Sequence, residues 1–503
     1  MKIDKRTKFL ALLVFAITTL MVYAVVRTVL YGRARYTGSD NLLAFLLILA
    51  EFFVMLHGFG YMTHIIIASR SRNKPPRTVL LTTEPSVAII VAARHEPKAV
   101  LAETFLTINN INYKNKKVYF LDDSSDEKYK KEAEELAKEY SLTLFRRDTR
   151  HGAKAGVIND CLKTLTEKYI AVFDADSNPM PAFLKELVPI IEANERLAFV
   201  QTPQFYSNVA ASPISRGAAF QQAVFYEYIC EGKSRDDSMF CCGTNVLIRT
   251  EALRDVGGFD ETTVTEDFST SVKFHLRHWH TLYYNHVNTF GMGPEDLTGY
   301  FTQQFRWANG TIAVFKKTIR AFFANPFALR LNQWWEYFLS GTYYFVGIAF
   351  FILMICPAAY LLFKVPSFFA KPEIYFLSYM PYIILTLSVF YLVLKDRHYK
   401  PRDLFLGQLL GFISFSVHMR AAFSALVGVK TTFGITRKTK GMSVPYAALW
   451  PQLGVMFLNF VAIVWGVNRF IYEQKIAIVI NMFWALYTLL ILSSVFYFNK
   501  AQR

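Results

Sequence analysis

Two acidic residues one position apart, Asp174 and Asp176, could hold a divalent cation. They come directly after the apolar run Tyr169–Phe173 and shortly before Pro179 and a helical pattern. Carboxylates in this position at the end of a strand can share a cation that carries a diphosphate. A DxD string alone is weak, but a strand before it and a helix after it are the context that such a site requires. The spacing therefore predicts a metal site at Asp174 and Asp176.

A second acidic string, formed by Thr265, Glu266 and Asp267, leads into the helical pattern Phe268–Trp279. One interpretation is a helix cap followed by an acidic first turn, because carboxylates are favoured at a helix N-terminus. The other is a general base, a carboxylate placed to take a proton from an attacking hydroxyl group. These residues by themselves leave both interpretations open.

A third acidic string, Asp122, Asp123 and Ser124, directly follows the apolar run Val118–Leu121. These residues could cap the helix that begins near Asp126. They could equally face a ligand, because ligands of an open α/β sheet bind beyond the carboxyl ends of its strands.

A QxxRW string is formed by Gln303, Arg306 and Trp307. Trp307 could be a membrane-interface anchor, with the Arg306 side chain extended to the charged surface. An aromatic face can also stack on a pyranose ring, and an arginine can hold a phosphate. The string is therefore compatible with an anchor and with a sugar-phosphate site.

The elements that would position these residues alternate along the central part of the chain. Apolar runs typical of strands lie at Val87–Ala93, Val118–Leu121, Leu142–Phe145, Tyr169–Phe173 and Leu197–Gln201, and a charged amphipathic helix is predicted at Asp126–Tyr140. Short strands separated by helices predict a doubly wound, mostly parallel sheet. That sheet would place the acidic strings near the carboxyl ends of its strands.

Six long apolar runs flank this central part. They lie at Phe9–Leu30, Leu42–Ile67, Trp334–Phe363, Ile374–Leu394, Tyr446–Phe470 and Ile476–Phe498. A run of about 20 apolar residues can cross a bilayer as a helix. The composition agrees, since 53% of the residues are hydrophobic and only 19% are charged. The stretch Pro401–Val427 is interrupted by charged side chains and is predicted to form a helix at the membrane surface.

Charge and cysteine use narrow the class of protein further. The net charge is +16, but the basic residues cluster beside the apolar runs, at Lys2–Lys8, Arg70–Arg77 and Lys430–Lys440. This is the positive-inside pattern of membrane proteins, so nucleic-acid binding is not expected and the central part and both termini are predicted to be cytosolic. Five cysteines without a CxxC pair argue against a disulfide framework and against a zinc site.

Taken in chain order, the motifs at Asp123, Asp174–Asp176, Thr265–Asp267 and Gln303–Trp307, flanked by membrane spans, resemble those of one family. That family is the processive family 2 glycosyltransferases, the superfamily of cellulose, curdlan and hyaluronan synthases. The resemblance covers residues 84–441 and is specific, because four motifs agree in order.

Four further strings agree with the cellulose-synthase-like branch of this family. His151–Gly156 is similar to the family's HAKAG string, with a departure at Gly152, and Phe240–Thr244 is similar to its FFCGS string, with Cys and Thr replacing Phe and Ser. Glu96 stands where the family has an acid in the first strand-loop. Phe433–Thr436 resembles the FxVT gating loop, with Ile in place of Val.

The resemblance implies a GT-A fold, an α/β glycosyltransferase domain with a mixed, mostly parallel sheet, embedded between transmembrane helices. It also implies an inverting single displacement, with Mg²⁺ or Mn²⁺ as the cofactor on Asp174 and Asp176. The resemblance implies that Asp267 is the base, with Glu266 and Thr265 in the same motif. It implies that the UDP-sugar is bound by Glu96, Asp122, Asp123, Lys154, Asp174, Gln303 and Arg306. It also implies that the acceptor is bound by Trp307, Cys242 and Gly243, and that a gating loop contains Phe433, Ile435 and Thr436.

Five segments are expected on this basis. They are residues 1–83 with two transmembrane helices and a basic linker, 84–320 as the cytosolic catalytic domain ending in the QxxRW helix, 321–400 with transmembrane helices 3 and 4, 401–445 with the interfacial helix and gating loop, and 446–503 with transmembrane helices 5 and 6.

The expected function is polymerisation of UDP-glucose into a β-linked glucan that is moved across the plasma (inner) membrane. Alternatives are a hyaluronan- or chitin-type synthase that uses UDP-N-acetylglucosamine, a non-processive transferase that acts on a lipid, and, outside the enzymes, a transporter with a nucleotide-sensing domain. The expected partners are the UDP-sugar, the growing polysaccharide and the lipid bilayer, with room for export or accessory proteins.

Overall fold

The computed structural model describes residues 5–35, 38–71, 75–366, 371–429 and 443–500. Two long helices come first, α1 (Lys5–Arg33) and α2 (Gly38–Ser71). Both are long and apolar enough to cross a membrane, as the first two apolar runs predict. The predicted gating-loop residues Phe433, Ile435 and Thr436 lie outside the described residues.

The central domain is built on a seven-stranded sheet. Its strands are β1 (Val87–Ala93), β2 (Lys116–Asp122), β3 (Thr143–Phe145), β4 (Tyr169–Asp174), β6 (Leu197–Gln201), β8 (Val246–Arg249) and β9 (His280–Tyr283). A second, three-stranded sheet consists of β5 (Asn178–Pro179), β7 (Phe205–Tyr206) and β10 (Thr289–Gly291).

The strand order in the large sheet is β3-β2-β1-β4-β8-β6-β9. Every pairing is parallel except those of β8, which runs antiparallel to both β4 and β6. The predicted strands are all present, whereas β8 and β9 have no counterpart among the predicted runs. The sheet is therefore mixed and mostly parallel, as expected, and β1 and β4 end side by side with Ala92 opposite Asp174.

Helices cover both faces of the large sheet. They are α3 (Lys98–Asn109), α4 (Glu127–Glu139), α5 (Ala153–Leu162), α6 (Phe183–Glu192), α7 (Pro213–Val224), α8 (Cys230–Arg235), α9 (Thr250–Asp255), α10 (Glu266–Leu276) and α11 (Leu297–Ala324). A π-helical turn at Phe225–Ile229 joins α7 to α8. Two apolar cores result, one with α3, α4 and α6 and the other with α5, α9 and α10. Strands buried on both faces explain why their sequences are continuously apolar.

The C-terminal part is helical. It consists of α12 (Leu331–Thr342), α13 (Val346–Phe363), α14 (Pro372–Asp396), α15 (Pro401–Ile413), α16 (Phe415–Val427), α17 (Trp450–Glu473) and α18 (Ile476–Phe498). With α1 and α2, the described residues contain six candidate spans, α12 and α13 together forming one of them. These six match the six predicted runs.

The predicted single surface helix at Pro401–Val427 is instead two helices, α15 and α16, which meet at an angle of 47°. The bend lies at Ser414, whose hydroxyl donates to the Leu410 carbonyl at 2.8 Å. Such side-chain bonding to the preceding turn is a recognised cause of helix bending. The two helices together are also apolar enough to be a broken span.

Polar side chains of α15 and α16 that suggested a water-facing surface contact the central domain instead. Asp403 is buried and pairs with Arg216 of α7 at 2.7 Å. The Arg420 guanidinium lies 4.8 Å from the ring centre of Phe305 on α11. At the end of α16, the carbonyls of Ala425 and Leu426 each accept a hydrogen bond of 3.1 Å from the Lys316 ammonium of α11. The helix pair is therefore packed against α7 and α11.

Three buried polar side chains join the central domain to two spans. Glu336 of α12 accepts hydrogen bonds from Lys233 of α8 at 2.5 Å and pairs with His64 of α2 at 2.8 Å. All three side chains are at most 4% exposed. The cluster fixes α2, α8 and α12 relative to one another.

Candidate active site

A cleft of about 300 Å³ opens at the carboxyl ends of β1 and β4. It is lined by Glu96, Asp123, Lys154, Asp174, Asp176, Cys242, Gly243, Thr265, Glu266, Asp267, Gln303, Arg306 and Trp307. Of the predicted site residues that the structure describes, this set leaves out only Asp122. Segments more than 200 residues apart in the sequence, from Glu96 to Trp307, thus meet at one place.

Asp267 and Glu266 lie in the first turn of α10 and face the cleft. Burial, together with the charge of neighbouring Glu266, raises the pKa of Asp267 to about 7. Burial also raises the pKa of Glu266. A carboxyl group with a pKa near neutrality is suited to accept a proton in catalysis.

Thr265 stands at the N-cap position of α10 but does not cap it. Its side chain accepts no hydrogen bond from the first turn, and its hydroxyl is buried without a hydrogen-bond partner in the described structure. The expected cap by Thr265 is therefore wrong, whereas the acidic first turn of the same interpretation is present in Glu266 and Asp267. Thr265 instead packs against Gly310 of α11, where a Cβ atom would lie 2.5 Å from the Thr265 methyl group.

The loop before β8 brings Gly243 against Asp267. Gly243 has a φ of +79°, and a Cβ atom at this position would lie 2.8 Å from Asp267 Oδ2. The same loop is held by two backbone hydrogen bonds of 2.8 Å, from Cys241 to Ser271 Oγ of α10 and from Cys242 to Gln201 Oε1. Glycine therefore permits this close approach of the loop to Asp267.

Lys154 reaches from the start of α5 to the end of β4. Its ammonium contacts Asp174 Oδ1 and donates to the Gly243 carbonyl at 2.8 Å. Burial disfavours this charge, but the attraction of Asp174, Glu266 and Asp267 outweighs it and raises the pKa of Lys154. The turn before Lys154 is tight, with φ values of +56° at Gly152 and +47° at Ala153.

Asp123 is held by two arginines that no sequence motif singled out. Arg147 donates to both of its oxygens, at 2.9 and 3.0 Å, and Arg150 donates to Oδ2 at 2.9 Å. The carboxylate thereby anchors Arg150 at the rim of the cleft, which it lines.

Asp122, which the resemblance assigns to the donor site, is not among the residues that line the cleft. Its side chain is buried, pairs with Arg146 at 2.8 Å and accepts a hydrogen bond from the Ser124 backbone at 3.1 Å. The cap of α4 is Asp126, which accepts from Lys128 N at 2.8 Å. The capping interpretation is therefore wrong for Asp122 and Asp123 as well.

The QxxRW string lies on α11 and forms the opposite wall of the cleft. Gln303, Arg306 and Trp307 all line it. Gln303 Oε1 is buried and has no hydrogen-bond partner within the described structure. A buried acceptor without a partner is costly, so this oxygen is suited to bind a hydroxyl or amide donor of a ligand.

Further lining residues come from segments that sequence reasoning did not single out. They include Arg94, Arg150, Gln204, Met292, Glu295 and Asp296. Three of them belong to the string Gly291–Asp296, whose glycines and proline after a short strand are a loop signal. The position of that string just before the QxxRW helix could have pointed to it.

Asp174 and Asp176 could bind a cation whose remaining coordination positions are filled by a bound ligand. In the part of the chain that the structure describes, no three His, Cys, Asp or Glu side chains converge as a metal site. Mg²⁺ is usually held by one or two carboxylates together with substrate phosphates and water, which this pair could provide. Burial raises the pKa values of Glu266 and Asp267, so their negative charges are disfavoured in the cleft. A cation bound nearby would stabilise these charges.

Comparison with known proteins places this fold and cleft among the glycosyltransferases. Residues 85–310 match the family described as "Glycosyltransferase like family 2", and residues 238–501 match "Cellulose synthase". The chain therefore belongs to the cellulose synthase family. Its central domain has a GT-A fold, and its six apolar helices make it a membrane protein.

Curated relatives carry the same family name. A "Cellulose synthase catalytic subunit [UDP-forming]" of Pseudomonas fluorescens is 26% identical over 97% of this chain and 68% of its own length. A protein of the same name from Komagataeibacter sucrofermentans is 30% identical over 65% of this chain, which spans only 43% of that relative.

A solved structure supports the fold. The mannosyltransferase PcManGT of Pyrobaculum calidifontis, solved with GDP-Man and Mn²⁺, has a TM-score of 0.53 and 18% identity, and the match covers 76% of this chain and 100% of that protein.

Proposed function

We propose that the protein transfers glucosyl units from UDP-glucose to the end of a β-linked glucan and passes the growing chain through its membrane helices. The observation that carries this proposal is the meeting of Asp174 and Asp176, Asp267 and Trp307 in one cleft beside a helical membrane domain. The relatives, which are described as UDP-forming, support UDP as the leaving group.

Asp267 is the proposed base. It takes the proton from the acceptor hydroxyl while that oxygen attacks the anomeric carbon of the donor, so the configuration inverts in one displacement. Its high pKa suits this role, because a base with a pKa near the working pH combines ionisation with proton affinity.

The donor lies across the ends of β1 and β4 in this proposal. Lys154 and Arg306 face the diphosphate, and Glu96 and Asp123, the latter with its arginines, lie toward the uridine. Asp174 and Asp176 would hold Mg²⁺ or Mn²⁺, which when bound neutralises charge on the departing diphosphate.

The acceptor sugar stacks on Trp307, opposite the loop that contains Cys242 and Gly243. Stacking restricts the sugar to orientations in which its hydroxyl meets Asp267, and such positioning can supply much of a rate enhancement. Residues Phe433, Ile435 and Thr436 are proposed to close over the bound donor and to open after release of the nucleotide.

The catalytic domain and both termini are proposed to face the cytosol of the plasma (inner) membrane, where nucleotide sugars are available. The basic residues beside the first two spans support this orientation. Export or accessory proteins would act on the opposite side.

The test is synthesis by the purified full chain in lipid nanodiscs offered radiolabelled UDP-glucose, UDP-N-acetylglucosamine or UDP-galactose with Mg²⁺ or Mn²⁺. We expect a polymer from UDP-glucose, and linkage analysis identifies its bond. Asp267→Asn should lower the rate at least about 100-fold, as expected for loss of a general base. Asp148→Asn, at an exposed site, serves as the matched control.

The outcomes separate the alternatives. A polymer from UDP-N-acetylglucosamine alone would change the assigned donor, and a short product extracted with lipid would indicate a non-processive transferase. Full synthesis by the Asp267→Asn protein would contradict the proposed base. No transfer from any donor, together with nucleotide binding, would favour the transporter alternative.

A further inference from the structure

Lys154 occupies the centre of negative charge in the cleft. Its ammonium lies between the Asp174 carboxylate, with which it is in contact, and the Gly243 carbonyl at 2.8 Å. The Lys154 side chain is 16% exposed and the Asp174 side chain 40% exposed, so water reaches the carboxylate but only part of the lysine. The ammonium and the carboxylate in direct contact attract each other.

The same Asp174 carboxylate belongs to the proposed metal pair. An ammonium and a divalent cation on one carboxylate would repel each other at short range. Binding of the cation to Asp174 is therefore favoured when Lys154 leaves this carboxylate.

A cation alone is expected to bind weakly at this site, because the protein supplies few ligands. Asp174 and Asp176 supply two carboxylates, and the described residues contain no third acidic, histidine or cysteine ligand within reach. The remaining ligands must be water or phosphate oxygens. A diphosphate would add phosphate ligands for the cation and, at the same time, a second anionic partner for the Lys154 ammonium.

We propose that Lys154 is a two-position counter-ion that makes metal and nucleotide binding cooperative. Without nucleotide it neutralises Asp174 and excludes the cation; with nucleotide it moves to the diphosphate and releases Asp174. The inference rests on the proposed function, because it takes the ligand to be a nucleoside diphosphate. Since such coupling is reciprocal, the metal must strengthen nucleotide binding by the same factor.

The experiment measures Mn²⁺ binding rather than turnover. The free Mn²⁺ signal in electron paramagnetic resonance gives the affinity of the purified full chain with and without UDP. We expect UDP to tighten Mn²⁺ binding about tenfold or more in the wild type, within the usual range of coupling between sites.

Lys154→Gln removes the competing charge. It should bind Mn²⁺ without UDP about tenfold more tightly than the wild type, and UDP, which still supplies phosphate ligands, should tighten Mn²⁺ binding by a smaller factor than in the wild type. Lys163→Gln removes the same charge from the end of the same helix, where the side chain is 74% exposed, and should behave like the wild type.

Two results would overturn the inference and leave the function intact: equal Mn²⁺ affinity of the wild type with and without UDP, or Mn²⁺ binding by Lys154→Gln without UDP no tighter than in the wild type. The first needs no variant, so it decides the matter even if Lys154→Gln fails to fold. A wild type that binds no Mn²⁺ even with UDP would instead remove the metal-dependent function, and this inference with it.

Discussion

At the scale of single residues, Gly243 controls how closely its loop approaches Asp267, the proposed base. A methyl group on this residue would lie 2.8 Å from Asp267 Oδ2. We expect Gly243→Ala to lower kcat about 100-fold, because a displacement of about 1 Å in a catalytic geometry can cost this much. The rate of sugar incorporation at saturating donor measures it.

The control is Gly257→Ala, which also has a positive φ, +78°, but no heavy atom within 4 Å of the added Cβ. Backbone strain alone should lower the stability of this variant and leave kcat nearly unchanged. Equal losses of kcat in both variants would mean that strain, and not the contact with Asp267, is responsible.

The pKa of Asp267 predicts how the rate depends on pH. Burial and Glu266 raise this pKa to about 7, and the base acts only when ionised. The value of kcat/KM should therefore fall about tenfold per pH unit below pH 7 and level off above it. A profile that stays flat down to pH 5 would show that Asp267 is not the base whose ionisation limits the rate.

Much of the site could be predicted from residue types and their order. Asp174, Asp267 and Trp307 were all found because each belongs to a short motif. Arg147 and Arg150 could not be found in this way, since an arginine that anchors a carboxylate from 24 or 27 residues away has no local pattern. Asp122 belongs to a motif and was therefore predicted to bind the donor, but its side chain is buried and pairs with Arg146.

At the scale of elements, the cluster of Lys233, Glu336 and His64 holds three helices together through buried charges. Glu336→Gln would leave the Lys233 ammonium buried without a counter-charge. We expect a loss of about 3–5 kcal/mol in the free energy of unfolding. Denaturation in mixed detergent micelles, followed by tryptophan fluorescence, measures it.

The matched control is Glu135→Gln, which breaks an exposed pair with Lys98 at 2.6 Å. Exposed pairs contribute at most about 1 kcal/mol, so this variant should unfold close to the wild type. Similar effects of both substitutions would mean that the buried cluster does not hold the helices.

Strands and helices could be predicted where their apolar runs are long and continuous. Strands β1, β2 and β4 were found as continuous apolar runs, and the long apolar helices were found by length. The division of Pro401–Val427 into two helices depends on one hydroxyl at Ser414 and on contacts with α7 and α11, which no local periodicity contains. β8 and β9, of four residues each, have no counterpart among the predicted runs.

At the scale of the whole molecule, the number of crossings decides on which side the chain ends. Six spans place both termini on one side, whereas a crossing by the bent pair α15 and α16 would place the C-terminus opposite. The contacts of this pair with α7 and α11 favour six. We expect tags fused to both ends to be digested together by protease in inverted membrane vesicles and protected together in right-side-out vesicles; tags digested on opposite sides would establish seven crossings.

The packing of segments that are distant in the sequence could not be predicted from local patterns. The order of the strands depends on pairings such as that of Leu197 with His280, which lie 83 positions apart, and the contact of α16 with α11 joins Lys316 to Ala425, 109 positions apart. The family resemblance supplied the fold class, and only coordinates supplied these neighbours.

The two hydrogen bonds from Lys316 to the last carbonyls of α16 link the movements of α11 and α16. Trp307, which would carry the sugar in the proposed function, and Lys316 both lie on α11, so a movement of α11 would be transmitted to the end of α16. The segment proposed to close over the donor begins only a few positions further along the chain. In the proposed function, the acceptor side and the donor side of the cleft would therefore be coupled through α16.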